Sequence, residues 1–252
     1  MPLTFAHPAA AIPLARLLGR HGSVSALALG SMTPDLPFFL GASMARSDTH
    51  SLPALLTWAL PAGLLLYLLF QGLLKQALTA LAPAPVQTRL ATEHAAPPPG
   101  LATIAVSLLC GAATHLLWDA FTHPGTVIVD GIPLLQASVG SVGSYQVYVY
   151  KILQHAGTVA GLSLLACWSW RWYGRTAPGM PARPAMAAPL RRGICATLIA
   201  LPLAAGAWAA WPHGQSTARL ASFVFTTLPV FFWMLTAYAL LWHLACGRRG
   251  RT

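Results

Sequence analysis

Residues 101–123 read LATIAVSLLCGAATHLLWDAFTH, a long apolar run whose last turns carry His115, Asp119 and His123. A helix apolar on all sides belongs in lipid or a deep core, not on a water-facing surface. The three metal-capable side chains sit at i, i+4 and i+8. Each step of four residues drifts by only ~40° around a helix, so all three share one face. Ionisable groups in so oily a segment are costly and usually functional. The whole chain has five acidic residues, Asp35, Asp48, Glu93, Asp119 and Asp130, so the carboxylate at 119 stands out.

Composition agrees with this reading. The 252 residues are 56% hydrophobic and 8% charged, whereas soluble domains carry roughly 25% charged residues. Five segments are apolar enough to span a bilayer: about 52–74, 101–118, 156–173, 194–211 and 220–246, each near the ~20 residues a crossing needs. Two shorter apolar pieces, about 8–18 and 24–32, precede them and read as a helical hairpin. The fold class is therefore all-α: a polytopic membrane helical bundle of about five spans with an N-terminal helical hairpin. Residues 1–160 form the site-bearing part and 161–252 the C-terminal membrane helices.

Ala82–Gly100 and Ala177–Pro189 are rich in Pro and Ala and read as linkers. Pro124–Val149 reads as an irregular excursion capping a site, with Thr126–Val129 a short extended piece. Cys110, Cys167, Cys195 and Cys246 form no CxxC pair and read as small buried hydrophobes. The first residues lack the positive flank of a signal peptide, so internal helices are expected to direct insertion.

The formal charge is +10, but the arginines flank apolar runs and form no basic stripe, which argues against nucleic acid. Ten of the fifteen positive charges (Lys75, Arg89, Arg171, Arg175, Arg183, Arg191, Arg192, Arg248, Arg249 and Arg251) fall on one side of the five-span arrangement. That side is expected to be cytoplasmic. The opposite, extracytoplasmic face then receives the candidate chemistry.

His7, Asp35, Asp48, His50, His115, Asp119, His123 and His155 all fall near the ends of apolar segments that this topology brings to one face. Neutral imidazole and carboxylate together suit zinc, iron or manganese. His7, Asp35, His50, His115 and Asp119, with His123 and His155 available, form a candidate ligand set. A divalent ion there acidifies its water and polarises a phosphoryl or carbonyl oxygen, so hydrolysis is the natural reaction class. Structural readings compete. Pro34-Asp35 also suits a helix-end turn, Asp48 to Ser51 an N-cap, and His115 with Asp119 a buried hydrogen bond. His21, His94, His213 and His243 read as interfacial or hydrogen-bonded residues. Tyr145, Tyr148, Tyr150, Lys151 and Gln154 crowd the start of the third span, where they suit a polar head group or the membrane interface.

The segments Phe5-Ala6-His7-Pro8, Gly30-Ser31-Met32-Thr33-Pro34-Asp35, Thr49-His50-Ser51, His115 to His123 and Lys151-Ile152-Leu153-Gln154-His155 resemble an uncharacterised bacterial membrane family, the domain of unknown function 4184, over roughly residues 1–160. Their order is also similar to the LexA-regulated inner-membrane metal-dependent hydrolases and, more distantly, to zinc-dependent phospholipase C. That likeness implies His7, Asp35, His50, His115, Asp119, His123 and His155 as ligands, with Asp119 bridging two metals. The phospholipase pattern ends in His-x-x-x-Glu, whereas Val159 stands four residues after His155; one or two ions are therefore expected.

The resulting expectation is a multi-pass protein of the bacterial inner membrane acting as a metal-dependent, phosphoesterase-like hydrolase. Its cofactor is a divalent metal, zinc favoured, and its partners are the bilayer and a lipid or lipid-linked substrate. Asp35, His50, His115 and Asp119 are expected to hold the principal ion. Asp119, His123 and His155 are the expected catalytic residues, and His7, His123 and His155 serve a second metal or acid–base work. The alternative is a non-catalytic structural or partner-binding membrane protein whose His/Asp cluster locks helices together. A transporter is disfavoured, because the spans after Tyr173 are nearly devoid of polar groups.

Overall fold

A computed structural model describes residues 3–93, 98–142, 145–180, 186–212 and 216–249. His94, His213 and parts of both Pro/Ala-rich segments lie outside them. Among the described residues the fold is all-α apart from one hairpin. It opens with α1 (Pro8–Ala11), α2 (Leu14–Leu18) and α3 (Val24–Gly30). The expected first arm is thus two short pieces, because Pro13 has no N–H to continue α1. Gly19, at φ +54°, closes α2 in a conformation that favours glycine. Ser23 caps α3 by accepting from the Ala26 N–H.

Then follow α4 (Leu36–Leu40), α5 (Arg46–Thr49) and a continuous helix over Leu55–Leu81. That helix contains α6 (Leu60–Leu69) and α7 (Lys75–Leu81), preceded by π-turns at Leu55–Ala59 and Phe70–Leu74. The remaining elements are α8 (Ala84–Glu93), α9 (Leu101–Thr122), α10 (Val127–Gly131), β1 (Ser138–Val142), β2 (Tyr145–Tyr148), α11 (Val149–Arg175), α12 (Ala188–Ala210) and α13 (Ser216–Arg249).

Among the described residues, four helices are long and apolar enough to cross a membrane: Leu55–Leu81, Leu101–Gly131, Ala188–Ala210 and Thr217–Cys246. They leave large apolar side chains such as Leu65, Leu68, Leu117, Trp208 and Leu241 exposed. In water such surface would be a liability; against lipid it needs no cover. The chain is a multi-pass membrane protein. The remaining expected span lies in α11, a helix of 27 residues. Gln154 and His155 near its start and Trp168, Trp170 and Trp172 near its end dilute its apolar stretch.

Several local expectations are corrected. Thr126–Val129 is not extended: Thr126 accepts from the Val129 N–H and starts α10. The extended backbone comes later, in the antiparallel β1–β2 pair. The first Pro/Ala-rich segment contains α8, since Pro at a first helical turn forfeits no needed N–H. Lys75 lies inside the first long helix rather than beyond it. All four cysteines are free and none is fully buried; Cys167 is exposed.

The chain divides into two compact units, each drawn from three stretches. The first comprises Met1–Asp35, Ala45–Tyr67 and Pro98–Trp172, and the second Leu36–Met44, Leu68–Pro97 and Tyr173–Thr252. The boundary expected near residue 160 lies within α11. In the second unit α12 meets α13 at Gly206, where an added Cβ would strike Thr227 and Phe223. Tyr238 donates to the Ala77 carbonyl and His243 pairs with the Leu73 carbonyl, a structural role of the kind expected for that histidine.

The first unit carries the candidate chemistry. Its spine is α3 packed backbone to backbone on α9. Gly30 lies against Leu108, and Gly111 against Leu27 and Ser31; small residues permit this approach. The Ser23 N–H donates to Ser107 Oγ at 3.0 Å, tying the start of α3 to α9. Ala26, Tyr67 and Leu108 form the buried core beside this seam. Further along, α11 is seated by two more glycines, Gly157 beneath Trp118 and Gly161 over the Ala6 carbonyl.

Candidate metal centre

Five segments bring polar side chains to one place in the first unit. His7 sits where the turn Thr4–Ala6 passes into α1, with Pro8 at the first helical position. Asp35 closes the tight turn Thr33–Asp35 after α3. That turn is pinned on two sides: Thr33 Oγ1 donates to the Gly30 carbonyl at 2.7 Å, and Trp58 Nε1 donates to the Thr33 carbonyl at 3.1 Å. His50 ends α5, its N–H bonded to the Arg46 carbonyl. His115, Asp119 and His123 come from the end of α9, and Gln154 from the first turns of α11.

The seam between α3 and α9 fixes the first ligand candidate. His115 Nδ1 lies 2.8 Å from the Ser31 carbonyl oxygen. A carbonyl only accepts, so Nδ1 carries the proton and Nε2 presents its lone pair. This is how metal-binding imidazoles are usually oriented. The His7 ring stacks on His115 with centroids 3.8 Å apart. His50 Nδ1 is satisfied by Thr49 Oγ1 at 2.7 Å, which turns its Nε2 inward as well.

The two carboxylates complete the cluster. Asp35 Oδ1 is 3.2 Å from His50 Nε2 and 3.8 Å from His115 Nε2. Its other oxygen accepts from Thr4 Oγ1 at 2.7 Å. Asp119 Oδ2 is 3.6 Å from both His50 Nε2 and His115 Nε2. Asp119 Oδ1 lies 4.0 Å from His7 Nε2 and 3.4 Å from His123 Nδ1. Asp35 and His115 are fully buried and Asp119 nearly so.

Apart from the Thr4 bond, these approaches of imidazole nitrogens to carboxylate oxygens are not hydrogen bonds. His7 Nε2, Asp35 Oδ1, His50 Nε2, His115 Nε2 and Asp119 Oδ1 are buried polar atoms with no hydrogen-bonding partner among the described residues. Buried groups of this kind are nearly always satisfied. Here the Nε2 lone pair of His115 faces two carboxylates, an arrangement that repels unless something positive stands between them. Ligand atoms held at about 2.0–2.2 Å from a zinc ion lie roughly 3.3–3.6 Å from each other in a tetrahedron. The separations above, from 3.2 to 4.0 Å, lie around that spacing. Two triads, His7–Asp35–His115 and His50–His115–Asp119, each have their ligand atoms within 4.8 Å of one another and share His115.

Protonation suits the same chemistry. Burial, and next the neighbouring His115, push the His7 imidazole down to about 3, so it is neutral at physiological pH. For Asp35, burial alone would raise the carboxyl; His50, His115 and the Thr4 hydroxyl outweigh it and hold the group below its usual range. A neutral imidazole and an ionised carboxylate are the forms that bind a cation.

The other candidates are placed differently. His123 is buried beside Asp119, but both its nitrogens are engaged. Nδ1 lies 3.3 Å from the Asp119 carbonyl, and Nε2 lies 3.3 Å from Gln154 Nε2. His155 is exposed, and the buried residue of that turn is Gln154. Reading the residues alone left Arg46 out of the cluster, yet its Nη2 donates to Asp119 Oδ2 at 2.6 Å. Thr4 and Ser31 were equally silent: nothing in a sequence distinguishes a hydroxyl or carbonyl that will orient a ligand.

Lys151 settles the state of His123. Its ammonium donates to Gln154 Oε1 at 2.9 Å, which forces the amide NH₂ toward His123 Nε2. His123 Nε2 must then accept, and its proton sits on Nδ1, facing Asp119. We expect Gln154→Leu to shift His123 to a mixture of tautomers, read from ring ¹⁵N shifts. It should also cost about 1–3 kcal/mol, because buried polar atoms lose their partner. Retention of a pure Nδ1–H form would show that Gln154 does not set the tautomer.

Comparison with known proteins bears on the same residues. The model of a family described as a domain of unknown function (DUF4184) matches residues 1–243. The chain belongs to this family. The DUF4184 match takes in α12 and most of α13 as well as the site-bearing unit, further than the roughly 160 residues over which the motifs are recognisable. No curated protein and no solved structure matches the chain.

Proposed function

We propose that this DUF4184 protein is a membrane-bound, metal-dependent hydrolase that holds one divalent ion, preferably zinc, and cleaves a phosphoester of a lipid or lipid-linked substrate. The observation that carries the reading is the set of five buried polar atoms on His7, Asp35, His50, His115 and Asp119 that have no hydrogen-bonding partner among the described residues. Nitrogen and oxygen donors in this ratio suit zinc, with iron or manganese as the next fits. A second ion would need His123 and His155, and the first is occupied by Gln154 while the second is exposed.

When bound, the ion supplies an acidified water and Lewis-acid polarisation of a phosphoryl oxygen. The protein's own part is separate. Ser31 and Thr49 hold the rings of His115 and His50 by their Nδ1 atoms. His123 keeps a proton on Nδ1 at 3.4 Å from Asp119 Oδ1, where it orients that carboxylate. The hydrolase class also draws on the likeness to the inner-membrane hydrolases. The arginine distribution supports the extracytoplasmic face of a bacterial inner membrane for this end of the helices.

Complete burial of Asp35 and His115 favours a second reading, a closed structural metal site that locks α3 to α9 without catalysis. Two measurements on detergent-purified protein separate the readings. Elemental analysis should find about one zinc per chain, and bis(p-nitrophenyl) phosphate should be hydrolysed, with activity lost in EDTA and restored by zinc. Zinc without turnover on that ester or a lipid extract favours the structural reading. Protein that holds no metal when purified without chelator and offered zinc, iron and manganese refutes both.

A further inference from the structure

The cluster contains one permanent cation, and the metal reading, on which this inference rests, leaves that cation without a balancing charge. Arg46 donates from Nη2 to Asp119 Oδ2, and no other hydrogen-bond partner holds its guanidinium among the described residues. The side chain is 41% exposed, whereas the carboxylate it touches is 3% exposed. Arg46 therefore stands at the boundary between the buried ligand atoms and the outside, on the four-residue helix α5 that also carries His50 at its end.

Charge counting gives this position a consequence. Asp35 and Asp119 are the carboxylates of the cluster. Asp48 is exposed and accepts from Ser47, and Asp130 accepts from the Gly125 N–H. A divalent ion would cancel the charge of the two cluster carboxylates, and an imidazole that lends Nε2 to the ion adds no charge of its own. The guanidinium is then a surplus positive charge, with N–H donors to spare, beside a Lewis acid. Lys151 stands behind Gln154 and adds to the surplus without reaching Asp119. Guanidinium donors match the oxygens of a phosphoryl group in geometry and charge.

We propose that Arg46 is the substrate-binding residue of this site and that it takes an anionic phosphoryl oxygen. Without the ion the guanidinium is neutralised by Asp119. With the ion bound, Asp119 is drawn to the metal and the guanidinium becomes available. Oxyanion binding is therefore coupled to metal loading. The phosphoryl group is either that of a free phosphate or one carried on a lipid headgroup.

The test is calorimetric titration of the zinc-loaded full chain in detergent with inorganic phosphate and with dihexanoyl phosphatidic acid, alongside zinc analysis. Arg46→Ala should bind both probes about tenfold or more weakly. Arg46→Lys should lose only a fraction of that, and both variants should keep the zinc content of the wild type. EDTA-treated wild type should bind phosphate no better than Arg46→Ala. Tighter binding of phosphatidic acid assigns the oxyanion to a lipid, and equal binding assigns it to a free phosphate. Unchanged affinity in Arg46→Ala, or a zinc-loaded wild type that binds neither probe, overturns the proposal. So does loss of zinc from Arg46→Ala, since the guanidinium would then serve to hold Asp119. A wild type that takes up no zinc fails the metal reading itself.

Discussion

Asp119→Asn strips the ion from an otherwise folded protein. The substitution keeps the shape of the side chain and removes its charge. Asp119 is the residue that the other groups share: its carboxylate approaches His7, His50, His115, His123 and Arg46. An amide in that place offers one weaker ligand oxygen and puts an NH₂ among lone pairs. Altering an outer hydrogen bond to a metal ligand already costs about 10–100-fold in affinity, so losing a ligand charge should cost at least about 100-fold. Zinc per chain falls from about one to near none. Asp48→Asn is the control, since that carboxylate is exposed and bonded only to Ser47; its metal content should not change. The metal-free variant should also unfold at a lower temperature than the metal-free wild type, because Asp119 Oδ2 accepts from Arg46 at 2.6 Å and the amide leaves that guanidinium without its counter-charge. Stoichiometric zinc in Asp119→Asn would refute the assignment of this residue.

The second large effect lies on the far side of His115, away from any ligand atom. Gly111→Ala places a Cβ against the Leu27 carbonyl oxygen and 2.7 Å from the Ser31 N. Both are backbone atoms, so no side-chain rotation makes room and the helices must part. Overpacking of this kind costs about 3 kcal/mol or more when the obstacle is rigid. It also carries the Ser31 carbonyl away from His115 Nδ1, which frees the imidazole to turn. Both thermal stability and zinc affinity should drop, the latter about 10–100-fold. Gly193→Ala, on α12 with nothing within 4 Å of the added atom, should change neither. A Gly111→Ala protein with unaltered melting and zinc binding would show that the helices are not in the close contact described.

The contrast between these two residues explains what the sequence discloses. Asp119 announces itself, because a carboxylate one turn after a histidine in a run of leucines and alanines has few reasons to exist. His7, Asp35 and His50 are legible for a similar reason: metal-type side chains at successive helix ends, set within motifs. Gly111 announces nothing, since a glycine in a spanning helix is unremarkable until the partner helix is known. Arg46 reads as one more topology-setting charge. At the start of α11 the sequence offers Gln154 and His155 side by side, and only the seating of Gly157 and Gly161 decides which faces inward. The helices themselves were legible from length and apolarity. The π-turns, the break at Pro13 and the helix over Val127–Gly131 depend on single backbone hydrogen bonds that composition does not encode.

The bond between Ser31 and His115 joins positions 84 residues apart in the chain. Synthesis at about 5–20 residues per second puts on the order of 4 to 17 seconds between the two. Throughout that interval α3 is too short to insert by itself and has no α9 to lie against. The nascent segment must therefore be sheltered, by the insertion machinery or at the lipid headgroups, until the second long helix arrives.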